Sequence, residues 1–413
     1  MFFVTFVFYL GIEKILLQIN NQTSRLMLIT TTSKKISHLL LYVLFFLGTF
    51  PLTAAKITST STGGDWNTNT TWVGEVIPTL SDTVEIATTG TGNVTTTSGT
   101  IACAGITIIT GSVLSMNIPI TVNGVTSLSG TINFGSANEA SNLMTFNGSV
   151  ILNAGSHWNE TAISAIPTFL FTNDFTNNSS TFTALTGVHT FSGTSKIVSG
   201  ATVTGIPNIV ITGTYTNSGI LFVETSLTGT GGLINGGAGM LKLGGTSTIS
   251  TLNAFNLGNT IELNGDDQIV SISNDPDQRF YNLILSGSGT KSMSKSIISI
   301  AGNFKVTNTV SAIAQSDLTI AGDLTIDNGA TFNSGGYNHS IAGNWTNNGS
   351  FISTGSTIIF NGNTNTTISG INFNNIIVSG TGTKKALTAI TATGNFSISS
   401  GQFILDFISI NII

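Results

Sequence analysis

Only one stretch of this chain gathers enough charge to suggest chemistry. It is NGDDQIVSISNDPDQRF, residues 264–280, carrying Asp266, Asp267, Asp275, Asp277 and Arg279. Carboxylates are hard oxygen ligands, so such a set could hold Ca²⁺. Paired carboxylates beside an arginine could also act as the acid and base of a glycosidase or lyase. The spacing fits neither an EF-hand loop nor a Gly-Asp calcium repeat. Asp-Pro-Asp is a strong turn former, so the stretch reads first as a long corner between two strands. No catalytic, cofactor-binding or metal residue is assigned, and no cofactor is expected.

The remaining reactive residue types are scattered. His157, His189 and His339 stand apart from one another and from acids at ligand spacing, and read as ordinary, partly exposed side chains. Cys103 lies in the apolar run IACAGITII and reads as a buried structural cysteine. Trp66, Trp72, Trp158 and Trp345 could stack on sugar rings, but the first two suit a cap and Trp345 falls at a repeated core position. Gly231 and Gly232 lack the strand, lysine and helix of a phosphate loop.

Elements that would position these residues must be built from an unusual composition. Of 413 residues 8% are charged, with 13 Lys and Arg against 18 Asp and Glu and a net charge of −5, whereas soluble domains average roughly 25% charged. Thirteen dispersed cations cannot form a basic stripe, which argues against a nucleic-acid partner. One cysteine excludes a disulfide framework. Abundant Ile, Val, Thr and Phe argue for a β-rich chain rather than disorder.

Lys34 and Lys35 precede the apolar run Ile36–Phe50, followed by Pro51-Leu-Thr-Ala-Ala55. This is the pattern of a secretory signal peptide with cleavage after Ala55, and the run is shorter than the ~20 residues of a membrane span. No membrane span is expected in the mature chain. Residues 1–26 then read as a spurious upstream extension, translation beginning at Met27, with the signal peptide over 27–55.

Repeats decide the expected fold. A short unit appears in Ile298-x-Ile300-Ala-Gly-Asn-Phe304-x-Val306, in Leu318-x-Ile320-Ala-Gly-Asp-Leu324-x-Ile326, in Ile341-Ala-Gly-Asn-Trp345 and in Ile390-x-Ala392-Thr-Gly-Asn-Phe396-x-Ile398. A longer one relates Phe280–Lys291 to Phe373–Lys384 at an offset of 93, with a weaker copy at Ile206–Thr214. Upstream of the three copies stand Phe191-Ser-Gly193, Leu263-Asn-Gly265 and Phe360-Asn-Gly362. Two period-2 strands joined at a Gly-Asn or Gly-Asp corner predict an all-β, single-stranded parallel β-helix, a solenoid of about 20–22 residues per coil. A β-sandwich array is the competing architecture. Residues 56–100 would form a cap with two tryptophans and the first coils, and 101–413 roughly 17 coils in all, truncated in mid-strand at the C-terminus. Glycine is expected to supply left-handed backbone at the corners. Phe304, Leu324, Trp345 and Phe396 should share one inward register, the first three in a contiguous stack.

The segment Gly63-Gly-Asp-Trp66-(x)5-Trp72-x-Gly-(x)3-Pro78-(x)3-Asp82-x-Val84-x-Ile86 resembles the opening of many secreted bacterial β-helix proteins, notably adhesin-like surface proteins of Bacteroidota type. The segment Leu227–Gly245, LTGTGGLINGGAGMLKLGG, resembles one repeat of the autotransporter passengers of Gram-negative bacteria. These resemblances imply a secreted or outer-surface location. The expected function is a non-enzymatic structural or adhesin-like solenoid that meets a surface, matrix or polysaccharide ligand. The alternative is a carbohydrate-active β-helix protein, lyase-like, hydrolase-like or polysaccharide-binding.

Overall fold

The computed structural model describes residues 3–10, 13–20, 25–29, 55–135, 143–161, 166–272, 274–370, 372–405 and 410–412. The chain divides into two compact units, Met1–Thr53 and Ala54–Ile413. In the first, strands Phe3–Leu10, Glu13–Asn20 and Arg25–Ile29 form an antiparallel meander. The apolar run 36–50, read above as an export signal, lies outside the described residues. Among the described residues no helix is long and apolar enough to cross a membrane.

The second unit is a parallel β-solenoid of about 16 turns. Its strands alternate buried and outward residues, as Ile298-Ser299-Ile300 and Leu324-Thr325-Ile326 do. That alternation lets each inward side chain meet its counterpart one turn later, about 4.8 Å away. A spine face runs from Ile101–Cys103 to Gln402–Leu405. In the N-terminal half it is joined by one face from Lys56–Thr58 to Thr251–Asn253 and another from Gly63–Asp65 to Thr181–Thr183. In the C-terminal half the partners are a face from Gln268–Val270 to Ser350–Ile352 and one from Arg279–Phe280 to Phe396–Ile398. Between the halves the turns have two faces, and the spine strands lengthen to Thr204–Ile211 and Ile220–Thr228. The register slips there between Ile206 and Asn208, where Pro207 has no N–H to give to the ladder.

Two indoles close the first turn. Trp66 and Trp72 are each 1% exposed and meet edge to face at 5.0 Å. The Trp72 indole N–H donates to the Trp66 carbonyl at 2.8 Å. Asp82 closes the turn that leads to Val84 and Ile86 by accepting from the Thr79 N–H at 2.9 Å and its hydroxyl at 2.6 Å.

The Gly-Asn and Gly-Asp corners work differently from the expectation. Gly302, Gly322 and Gly343 are absent from the left-handed region that Gly329 (φ 88°) and Asn308 (φ 62°) do occupy. They must be glycine because the neighbouring turn is too close. A Cβ on Gly322 would sit 2.4 Å from the Gly302 carbonyl oxygen, and one on Gly343 2.3 Å from that of Gly322. The next residue holds the turns together through its side chain. Asn282 Oδ1 accepts the Asn303 N–H at 2.9 Å, Asn303 Oδ1 that of Asp323 at 2.9 Å, and Asp323 Oδ1 that of Asn344 at 2.7 Å. Asn344 Oδ1 accepts the Thr367 N–H at 2.8 Å. The repeated motif is therefore a hydrogen-bonded column along one edge of the solenoid.

The inward column Leu283, Phe304, Leu324, Trp345, Ile368 runs in register along the spine, and all five are buried. Phe304, Leu324 and Trp345 thus stack as their spacing implies. Phe396 departs from the expectation. It pairs with Ile376 on a different face and is only partly buried. The cause is that the 92 residues from Phe304 to Phe396, like the 93 of the long repeat, are not a whole number of turns. Leu283 stands on the spine, while its repeat counterpart Ile376 stands beside it on the face of Phe360 and Val378. Turn length also varies more than 20–22 residues. Ladder partners can be 18 apart, as Ile368 and Ala386, or 25 apart, as Phe146 and Phe171.

Candidate functional site

The solenoid splits the charged stretch between two corners that flank strand Gln268–Val270. At the first, Asp266 accepts from the Ser288 hydroxyl, and Asp267 Oδ1 accepts the Thr290 N–H at 2.6 Å. Both carboxylates thereby fasten the next turn. At the second, Asp275 Oδ1 accepts the Asp277 N–H at 3.1 Å, and Asp275 Oδ2 accepts from Arg279 Nε at 3.2 Å. The Arg279 guanidinium lies 4.2 Å over the Phe255 ring, and the Gln278 side-chain oxygen accepts the Ile272 N–H at 2.7 Å. Asn274 and Gln278 take left-handed backbone at φ 60° and 45°. This is a braced turn. Among the described residues no three His, Cys, Asp or Glu side chains come close enough to hold a metal ion.

The interior holds polar groups that the sequence did not announce. Glu160 and His189 are buried, with His189 Nε2 2.8 Å from Glu160 Oε1. Glu160 Oε1 also accepts from the Trp158 indole at 3.1 Å, and Oε2 accepts the Leu185 N–H at 2.7 Å. His189 Nδ1 lies 3.0 Å from the Gly187 carbonyl. A carbonyl can only accept, so Nδ1 carries a hydrogen and a second proton is shared with Glu160. The imidazole stacks on Phe169 at 4.6 Å within a cluster that includes Phe134, Phe171 and Phe191. His189 is therefore neither partly exposed nor apart from acids. Coiling brings Glu160, 29 residues upstream, against it.

His339 is also buried rather than partly exposed. Its Nδ1 accepts the Leu318 N–H at 3.1 Å and its Nε2–H donates to Ser334 at 3.0 Å, which fixes the neutral ring. Burial lowers its pKa below 6.5, against opposing effects of the Ser334 carbonyl and Asp317. The unfolded chain takes up a proton below pH 6.5 that the folded ring resists. The His339 contribution is thus complete above pH 6.5 and is lost as pH falls through the lowered folded value. Stability should fall between pH 7 and 5 by at most ~1.4 kcal/mol per pH unit more than in His339→Gln. Parallel slopes from denaturant melts of the two proteins would contradict it.

The long repeat has a polar purpose as well. Lys291 and Lys384, its matching ends, are fully buried. Lys291 Nζ donates to the carbonyls of Gly265, Asp266 and Ser288, and Lys384 Nζ to those of Gly362 and Gly382. In the weaker copy Tyr215 takes the place of lysine. Its hydroxyl accepts the Gly193 N–H at 3.1 Å and donates toward the Phe171 carbonyl at 3.2 Å. Gly193, Gly265 and Gly362 are the upstream glycines that recur with the repeat. Each pair is thus a peg from one turn set into the corner of the turn before. Desolvation lowers the pKa of both lysines and pushes the Tyr215 phenol up to about 12.

The other residues considered for chemistry are buried or surface polar. All four tryptophans are buried. Cys103 is buried opposite Val122, its thiol pushed up to about 12 by burial. His157 lies on an outward row, with Nδ1 2.8 Å from the Thr181 hydroxyl. No family model, no curated protein and no solved structure matches this chain.

Proposed function

We propose that this chain is a non-enzymatic, secreted or surface-exposed β-solenoid that acts by adhesion, matrix formation or display, of the bacterial adhesin-like kind that its opening resembles. The observation that carries the reading is the use made of its reactive side chains. Asp266, Asp267, Glu160, Lys291 and Lys384 are committed to holding turns together, and Asp275 to bracing its own corner. Outward, the solenoid offers low-charge rows. On one face Val113, Thr131, His157 and Thr181 align, beside Ser115, Asn133, Asn159 and Thr183. Asn159 donates to Asn133 Oδ1 at 3.0 Å across turns. Such regular rows suit binding to an extended surface or polymer.

The alternative, a polysaccharide lyase or hydrolase, requires an acid and a base facing one substrate. Two assays separate the readings: attachment of the purified chain to cell-surface or matrix polysaccharide, and turnover of acidic and neutral polysaccharides. Attachment without turnover is expected. Turnover that Asp267→Asn abolishes would establish the enzyme instead.

A further inference from the structure

Three corner loops stack on successive turns in the C-terminal half, and together they line an open recess of about 690 Å³ bordered by Lys295, Ile297, Gln315, Ser316, Asp317 and Tyr337. That volume lies within the ~300–1,000 Å³ of small-molecule sites. The recess differs chemically from every corner described above. Its apolar surface is exposed: Ile297 is 58% exposed and Tyr337 38%. Asp317 Oδ1 accepts the Asn338 N–H at 3.0 Å, which orients the carboxylate and leaves Oδ2 to accept elsewhere. Among the described residues the Lys295 ammonium, the Gln315 amide and the Tyr337 hydroxyl have no partner. The Ser316 hydroxyl is already spent on the Ser294 and Ser296 carbonyls at 3.1 and 2.6 Å, which ties the first loop to the second.

We infer that this recess is a subsite for a neutral saccharide. The inference rests on the surface-binding reading above and names its ligand class. An aromatic ring and an aliphatic side chain offer a face for the C–H surface of a pyranose. A carboxylate oxygen, an ammonium, an amide and a phenol offer acceptors and donors for hydroxyls that point in several directions. One ammonium and one carboxylate balance, so the recess exerts no net field that would select a charged sugar or a strongly charged peptide. Tyr337 forms the wall, while Gln315 and Asp317 supply the directional contacts. The loops are also fixed by the turns below them, so little is lost in ordering them on binding.

The experiment is titration calorimetry of the full chain against neutral tetrasaccharides of glucose and mannose, a tetragalacturonate and an acidic tetrapeptide. Tyr337→Ala and Gln315→Ala are compared with wild type, each with its melting temperature. The expected result is binding of a neutral tetrasaccharide that Tyr337→Ala weakens at least tenfold and Gln315→Ala several-fold, with melting unchanged. Binding untouched by both variants, binding of only the tetragalacturonate or the peptide, or no neutral binding at all would overturn the subsite. Attachment assays on the same proteins keep the two readings apart. Wild type and Tyr337→Ala attaching equally would leave the surface-binding reading standing while removing this subsite. Failure of wild type to attach to any surface would remove that reading.

Discussion

Glu160→Ala is expected to destabilise the solenoid by about 3–5 kcal/mol, since each buried polar group left without its partner costs about 1–3 kcal/mol. The reason lies in what remains. His189 Nε2, the Trp158 indole N–H and the Leu185 N–H would lose their shared acceptor inside an aromatic core. The double variant Glu160→Leu/His189→Leu should cost less than the single change, because the imidazole is no longer stranded and only the Trp158 and Leu185 N–H groups are left without their acceptor. Denaturant melts of Glu160→Leu, His189→Leu and the double variant read the coupling directly. A loss under ~1 kcal/mol for Glu160→Ala would mean that the pair is not buried as described.

Trp345→Ala should cost about 3–5 kcal/mol, the usual range for emptying a large aromatic site in a packed core. Trp345 is buried between Leu324 and Ile368 in its column. It also packs on Phe351 at 4.8 Å and Phe373 at 5.3 Å. A solenoid's stability is close to a sum of neighbouring-turn terms. Hydrogen exchange should therefore rise in the turns carrying Leu324, Phe351, Ile368 and Phe373 and stay unchanged around Trp66 and Val94. Uniform loosening along the chain would show a core without this turn-by-turn order. Leu324→Ala should give the same local pattern with a loss of about 2–5 kcal/mol.

The residues that announced the fold were those whose side chains alternate. Ile298-x-Ile300 and Phe304-x-Val306 show strand period, and the recurring Gly-Asn shows the corner. Face assignment was not legible, because a motif copied at an offset of 92 or 93 does not return to the same face when turns vary in length. That is why Phe396 left the column that Phe304, Leu324 and Trp345 share. Left-handed glycine does serve corners such as Gly111, Gly155 and Gly329, but in the Gly-Asn and Gly-Asp corners glycine is needed because the turn below crowds it. The buried polar pegs escaped for a similar reason. Lysine at 291 and 384 looks like a solvated charge until the preceding glycine is seen to lie one turn below it. Likewise no spacing rule links Glu160 to His189.

The placement of the repeats on their faces underlies each of these roles, and cysteine cross-linking tests it. Thr346 and Ser369 are ladder partners on adjacent spine turns, whereas Ile359 pairs with Ser340 and Ile377 on another face. Neighbouring strands are about 4.8 Å apart, within the Cα separation of roughly 4.4–6.8 Å that a disulfide tolerates. Under mild oxidation Thr346→Cys/Ser369→Cys should form a bridge in the folded chain, and Thr346→Cys/Ile359→Cys should not. Efficient bridging of Thr346→Cys/Ile359→Cys with none in Thr346→Cys/Ser369→Cys would contradict the assigned register.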